Sequence, residues 1–274
     1  MIELKSSHNG VLNTLRKENY VLNNQNEQPE QTDFVIGRHA AEASLNSDHS
    51  INKVFIQEGL KSDAVNKLAR KAEKRGLIVQ RVTKKKLDTL SDRQNHQGIV
   101  LAVSAFQYAD LDDIFNLAQE REEEPFILIL DSIEDPHNLG SILRTADAAG
   151  VHGVIIPKRR AVGLTSTVAK TSTGAIERVP VVQVNNLVNT VKELKDRGVW
   201  IFGTDMKGTD YRRWDAKGSV GLIIGNEGKG IARLLKDNVD QMLSIPMVGE
   251  VQSLNASVAA GLLIYQGFNS RHQL

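Results

Sequence analysis

From residue 34 onward the apolar positions fall into two alternating rhythms. Short runs, continuous or at every second residue, predict strands; longer stretches with apolar residues three or four apart predict helices. KVFIQ (53–57), LIVQRV (77–82) and GIVLAVSAF (98–106) read as strands, with helical patterns AVNKLARKAEKRG (64–76) and TKKKLDTLSD (83–92) between them. These define a small α/β domain over 33–107. YADLDDIFNLAQEREEEP then reads as an acidic helix plus a flexible or semi-flexible linker, 108–124. A second α/β block fills 125–274. FILILDSI (126–133) is continuously apolar, as a strand buried on both faces would be. GVIIP, PVVQV, VWIFGTD, VGLIIG and MLSIPM follow as strands, with helices NLVNTVKELKDRG and GIARLLKDN among them. NLGSILRTADAAG (138–150) is expected to be a helix with Asn138 as its cap and Gly150 as its stop. Strands alternating with helices imply a mostly parallel sheet. Residues 1–32 are polar and lack the apolar content for a core, so disorder is expected there.

Composition narrows the class. A hydrophobic content of 41% and a charged content of 24% suit a soluble globular protein. No apolar run reaches the roughly 18 residues of a membrane helix, and no apolar signal core opens the chain, so a cytoplasmic protein without membrane contact is expected. There is no cysteine, which removes disulfides and thiolate metal sites. The histidines show no metal-ligand spacing, so no metal is expected. The net charge of +1 conceals a segregation: +5 over 33–107, −6 over 108–124 and +3 over 125–274. Two basic blocks flanking an acidic stretch fit a polyanionic partner as well as they fit solvated surface.

Three motifs sit at strand ends, where ligands of parallel sheets bind. In LDSIEDPHNLGSILRTADAAG (130–150), Arg144 follows Gly140 by one turn, so its side chain can lean back over the bare glycine toward the helix start. In LIIGNEGKGI (222–231), three glycines in six residues permit close approach of a ligand. Gly230 stands where a Walker A motif needs Ser or Thr, and Rossmann spacing fails too, which counts against an ordinary doubly wound nucleotide-binding enzyme. In QSLNASVAAGLLIYQ (252–266), an apolar helix opens with Ser253, Asn255 and Ser257, more capping residues than one helix start requires.

In this order, NLGSILRTADAAG, IGNEGKG and IPMVGEVQSLNASVAAGLLIYQ resemble the SpoU (TrmH-type) family of SPOUT RNA methyltransferases over residues 126–274. The 33–107 region, with VIGRHAAEASL and NHQGIVLAV, looks like the substrate-binding domain of the branch that methylates a guanosine ribose in 23S ribosomal RNA. The resemblance implies an α/β fold: a C-terminal SPOUT-type knotted parallel sheet with helices on both faces, plus a small N-terminal α/β RNA-binding domain. It implies S-adenosylmethionine as cofactor, held by loops at Thr204, at Gly225, Asn226 and Gly228, and at Ile245, Met247 and Leu254. It implies RNA as partner, rRNA or tRNA, and a homodimer formed through the knotted region. Arg144, Asn138, Glu227, Ser253 and Asn255 are the implied catalytic set. Arg144 is read as gripping the phosphate and the developing alkoxide, Asn138 as orienting Arg144 or the ribose, and the others as positioning substrate; a base role for Arg144 or Glu227 stays open. Arg38, His39, Lys84 and Lys85 are the RNA-binding candidates. A non-catalytic RNA-binding or ribosome-assembly protein on the same scaffold is the competing reading.

Overall fold

A computed structural model describes residues 34–272, apart from 48, 49, 105 and 252; the disorder expected over 1–32 lies outside the described residues. The first sheet arises from strands β1 (Phe34–Ile36), β2 (Ile51–Gln57), β3 (Val79–Val82) and β4 (Ile99–Val103), in the order β1-β4-β2-β3. Helix α1 (Arg38–Asn46) and α2 (Asp63–Lys74) cover one face, and α3 (Lys84–Leu90) belongs to the other. Helix α2 follows from its sequence. Ser62 accepts the Val65 N–H as cap, and Val65, Leu68, Ala69 and Ala72 form the buried stripe.

The segment between the two blocks departs from the linker expectation. Ala109 pairs with Val182 at the edge of the second sheet, and helix α4 (Leu111–Glu120) buries Ile114 and Ala118. Ile114 occupies the space that a side chain at Gly153 would need; a Cβ there would lie 2.4 Å from it. The acidic residues are only the outer face of an amphipathic helix. A polar joint precedes it. The Tyr108 hydroxyl donates to Asn52 Oδ1 (2.5 Å) and accepts the Leu164 N–H (3.0 Å), while Ser104 Oγ donates to the Leu164 carbonyl (3.0 Å). Desolvation pushes the Tyr108 phenol up to about 12, against the Leu164 N–H that lowers it, so it stays a donor. The two sheets lie within one compact unit.

The second sheet is parallel throughout, ordered β10-β8-β9-β5-β6-β7. Its strands are β5 (Phe126–Leu130), β6 (Gly153–Pro157), β7 (Val181–Val184), β8 (Trp200–Asp210), β9 (Val220–Ile224) and β10 (Gln241–Ser244). Helices α5 (Pro136–Ala148), α6 (Ser166–Ser172), α7 (Leu187–Asp196), α8 (Arg233–Lys236) and α9 (Ala256–Arg271) complete the block. Strand β5 is buried along its whole length because both its faces are covered. Phe126, Leu128 and Leu130 join the core with α5, α6 and α9, whereas Ile127 and Ile129 join the core with α4 and α7.

Three readings need correction. Helix α5 is capped by Asp135, which accepts the His137 N–H at 2.9 Å, with Pro136 in the first turn; Asn138 lies inside the helix and is buried. The helix expected over 230–238 shrinks to the single turn of α8, and α6, where no helix was expected, is present.

A buried histidine ties β5 to the loop before β6. His152 Nδ1 accepts the Phe126 N–H at 3.0 Å, and Nε2 lies 3.1 Å from Glu123 Oε2. Burial lowers its pKa from 6.5 to about 4, overriding the opposing pull of Glu123. The unfolded chain therefore takes up a proton below its own pKa that the folded chain refuses. This stabilisation is complete above about pH 6.5 and is lost as the pH falls toward 4, amounting to about 3 kcal/mol. Urea unfolding at pH 7.5 and 4.5 checks it: the loss should shrink in His152→Asn, and an identical loss in that variant would contradict the assignment.

Candidate active site

The site grows from three loops at the carboxyl edge of the parallel sheet. Strand β9 ends at Ile224 and the chain turns back on itself at once. A Cβ at Gly225 would lie 2.4 Å from the Gly230 carbonyl carbon, so only glycine lets the return pass this close. Asn226 and Gly230 close the turn with two backbone bonds, 2.8 and 3.2 Å. The Asn226 side chain organises the loop: Oδ1 accepts the Gly228 and Lys229 N–H groups, and Nδ2 donates to the Ser132 carbonyl. Buried Asp131 fixes the exit, accepting the Ala232 N–H at 2.7 Å.

The second loop is a break in strand register. Met242 of β10 pairs with Gly203, but the next residue, Leu243, pairs with Thr209. Residues 204–208 therefore bulge out of the β8–β10 ladder. The third loop runs from Ile245 to Asn255. Together the loops line a cavity of about 640 Å³. Thr204, Gly225, Asn226, Gly228, Ile245, Met247 and Leu254, the seven residues expected to hold a cofactor, all line it, as do Glu227 and Ser253. Leu243, Ile245, Met247, Leu254 and Ala256 give it an apolar side, and Lys207, Lys229 and Lys236 a cationic one. Lys236 bonds Asp205 at 2.5 Å, which together with the Lys207 N–H holds that carboxylate below its ordinary pKa.

Beside the cavity one carboxylate oxygen joins three segments. Glu227 Oε1 accepts from Asn138 Nδ2 (3.0 Å), Asn255 Nδ2 (2.7 Å) and the Ala256 N–H (3.0 Å). Asn255 Nδ2 also donates to Asn138 Oδ1 (3.0 Å). The other end of the Asn255 amide caps α9, accepting from the Ser257 and Val258 N–H groups and from Ser257 Oγ. The apparent surplus of capping residues is thereby divided: Asn255 caps and clamps, Ser257 braces it, and Ser253 faces the cavity. Asn138 bonds Glu227 and Asn255, and among the described residues no hydrogen bond joins it to Arg144.

Arg144 also sits differently from expectation. The space above Gly140 belongs to α6, since a Cβ on Gly140 would lie 2.5 Å from Thr171 Cβ. Thr171 therefore takes the room over that glycine. Arg144 is exposed, and among the described residues it makes no hydrogen bond or ion pair; nearby Asp147 pairs with Arg178 instead. Arg38, His39, Lys84 and Lys85 are all exposed on the first block, away from the cavity lining. Arg38 Nε donates to Gln97 Oε1 at 3.1 Å, and neighbouring His96 bonds Asp88 of α3. Sequence reading passed over Asp131, Ser132 and the Lys236–Asp205 pair. An acid directly after an all-apolar strand is the signal that marks Asp131.

Comparison with known proteins agrees with this geometry. Residues 125–265 match the SpoU rRNA methylase family, and residues 34–109 match the RNA 2′-O ribose methyltransferase substrate-binding family. YacO of Bacillus subtilis (strain 168), assigned to the TrmH family of tRNA/rRNA methyltransferases, is 50% identical over 244 residues, covering 89% of this chain and 98% of YacO. Among solved structures, the SpoU methyltransferase AviRb from Streptomyces viridochromogenes in complex with AdoMet superposes with a TM-score of 0.55 at 25% identity, covering 87% of this chain and 90% of AviRb. The AdoMet-bound rRNA methyltransferase from Sinorhizobium meliloti gives 0.53 at 27% identity, covering 88% and 87%. Fold, site and matches together define an RNA methyltransferase. The chain belongs to the SpoU (TrmH) family, whose cofactor is S-adenosylmethionine.

Proposed function

We propose that this protein methylates the 2′-hydroxyl of a guanosine ribose in structured RNA, with 23S ribosomal RNA as its target and S-adenosylmethionine as its donor. The observation that carries this reading is the convergence of three loops on one cavity beside the Asn138–Glu227–Asn255 cluster. The residues fit the cofactor: an apolar side for an adenine, a glycine-bared loop at Gly225–Gly228 that lets a ligand approach closely, and lysines for a carboxylate. When bound, S-adenosylmethionine supplies an electrophilic methyl group with its own leaving group.

The protein's part is alignment and charge. Glu227 holds the starts of α5 and α9 against the β9 loop, which fixes the rim where a ribose must lie in line with the methyl group. Ser253 offers a hydroxyl at that rim. Arg144, exposed and unpaired among the described residues, is free to clamp a phosphate and to stabilise negative charge developing on the ribose oxygen. The knotted backbone, a cytoplasmic location and a homodimer belong to the same proposal. Support for the dimer comes from α9, where Val258, Leu262 and Tyr265 are exposed at helical spacing.

The test is a map of 2′-O-methyl sites across total RNA from cells with and without the protein. Loss of one guanosine methylation in 23S rRNA is expected. Loss confined to tRNA would move the target, and an unchanged map would favour a non-catalytic RNA-binding role.

A further inference from the structure

The loop between β6 and α6 carries three consecutive cations, Lys158, Arg159 and Arg160. Among the described residues their side chains make no hydrogen bond or ion pair. Surface cations commonly pair or wave freely, but this loop is anchored along its length. The Lys158 N–H bonds the Val184 carbonyl (2.8 Å), extending the β6–β7 ladder. The Val162 N–H bonds the Ile133 carbonyl (2.9 Å), two residues beyond Asp131, which fixes the cavity loop. Leu164 enters the polar joint with Tyr108, Ser104 and Asn52. Gly163 is wedged into that joint, where a Cβ would lie 2.5 Å from Asn52 Oδ1. Arg160 adopts a left-handed backbone with φ of 58°, a conformation that costs a non-glycine residue energy and concentrates at functional positions.

We infer that Lys158, Arg159 and Arg160 form a phosphate-binding shelf for substrate RNA on the carboxyl edge of the sheet that also carries the methyl-transfer cavity. The inference rests on the proposed activity toward RNA. Placement carries it: the cations leave the carboxyl end of β6, the same edge of the parallel sheet as the cavity loops, and the loop runs on from them to the segment supporting the cavity at Val162 and to the first block at Leu164. An RNA that lies along this edge to reach the cavity would meet these three charges. They position the backbone and read no base.

The experiment uses the full-length protein and 3′-labelled total RNA from cells lacking it. Filter binding is measured between 50 and 200 mM salt. The triple variant Lys158→Ala/Arg159→Ala/Arg160→Gly keeps the left-handed position accessible at residue 160. Its affinity should fall roughly tenfold or more, and its log K against log salt slope should drop by about 2, for three phosphates at about 0.7 each. S-Adenosylmethionine affinity and melting temperature should match wild type. Wild-type RNA affinity and slope in the triple variant would overturn the shelf. Arg159→Glu alone guards against misfolding, and its unaltered RNA binding would overturn it equally. Failure of the functional reading looks different: the wild type would then transfer no methyl group to this RNA, whatever the salt slopes.

Discussion

Arg144→Ala is expected to lower single-turnover methyl transfer about 10²–10³-fold, the loss of roughly 3–4 kcal/mol of transition-state contact. S-Adenosylmethionine affinity should stay unchanged, because the cavity is lined by the bulge in β8, the loops after β9 and β10 and the start of α9, and not by α5. Arg144→Lys separates two roles. A guanidinium keeps its proton in proteins and grips a phosphate through a planar fork that Lys lacks. A clamp should therefore fail with Lys at every pH. A base should work with Lys under a shifted pH–rate profile, since a desolvated amine releases its proton more readily. Transfer by Arg144→Ala at the wild-type rate would remove this residue from the mechanism.

Glu227→Ala is expected to be nearly as damaging, by a different route. It deprives Asn138 Nδ2, Asn255 Nδ2 and the Ala256 N–H of a shared acceptor, at a cost of about 2–3 kcal/mol for bonds to a charged group at a partly exposed site. The starts of α5 and α9 should loosen together, weakening both cofactor binding and transfer. Glu227→Gln is the informative change. An amide oxygen accepts the same three bonds but takes no proton, so a clamp should survive the substitution and a general base should not. Calorimetry with S-adenosylmethionine alongside single-turnover transfer reads both outcomes. Intact binding with abolished transfer in Glu227→Gln would assign the base role to this carboxylate.

The parallel sheet was legible because its strands are buried on both faces and therefore unbroken in apolar character, as in FILIL. The cavity loops were legible because Gly225, Gly230 and Pro246 are backbone specialists that leave a mark in any sequence. The helix of α4 was legible, since Leu111, Ile114, Phe115 and Ala118 stand at helical spacing, but its packing was not, because seven acids dominate residues 108–124. Helix α6 left little trace. STVAKTS is polar and rich in β-branched residues, and it is helical because Thr165 caps it and Gly140 lets it approach α5. The Glu227 clamp joins residues 89 and 28 positions away. No local pattern encodes such a meeting; only the fold brings these positions together.

The joint at Tyr108 makes the protein a ruler. Asn52, Ser104 and Tyr108 lock onto Leu164 by hydrogen bonds, and α4 is packed into the sheet immediately afterwards. Two modules on a loose tether could modify nucleotides at many distances from the element they grasp. On the proposed reading, this joint is expected to hold the span from grasped element to modified nucleotide near one length. A substrate RNA lengthened or shortened between those two points should then fall out of gauge, even with every contacted nucleotide unchanged.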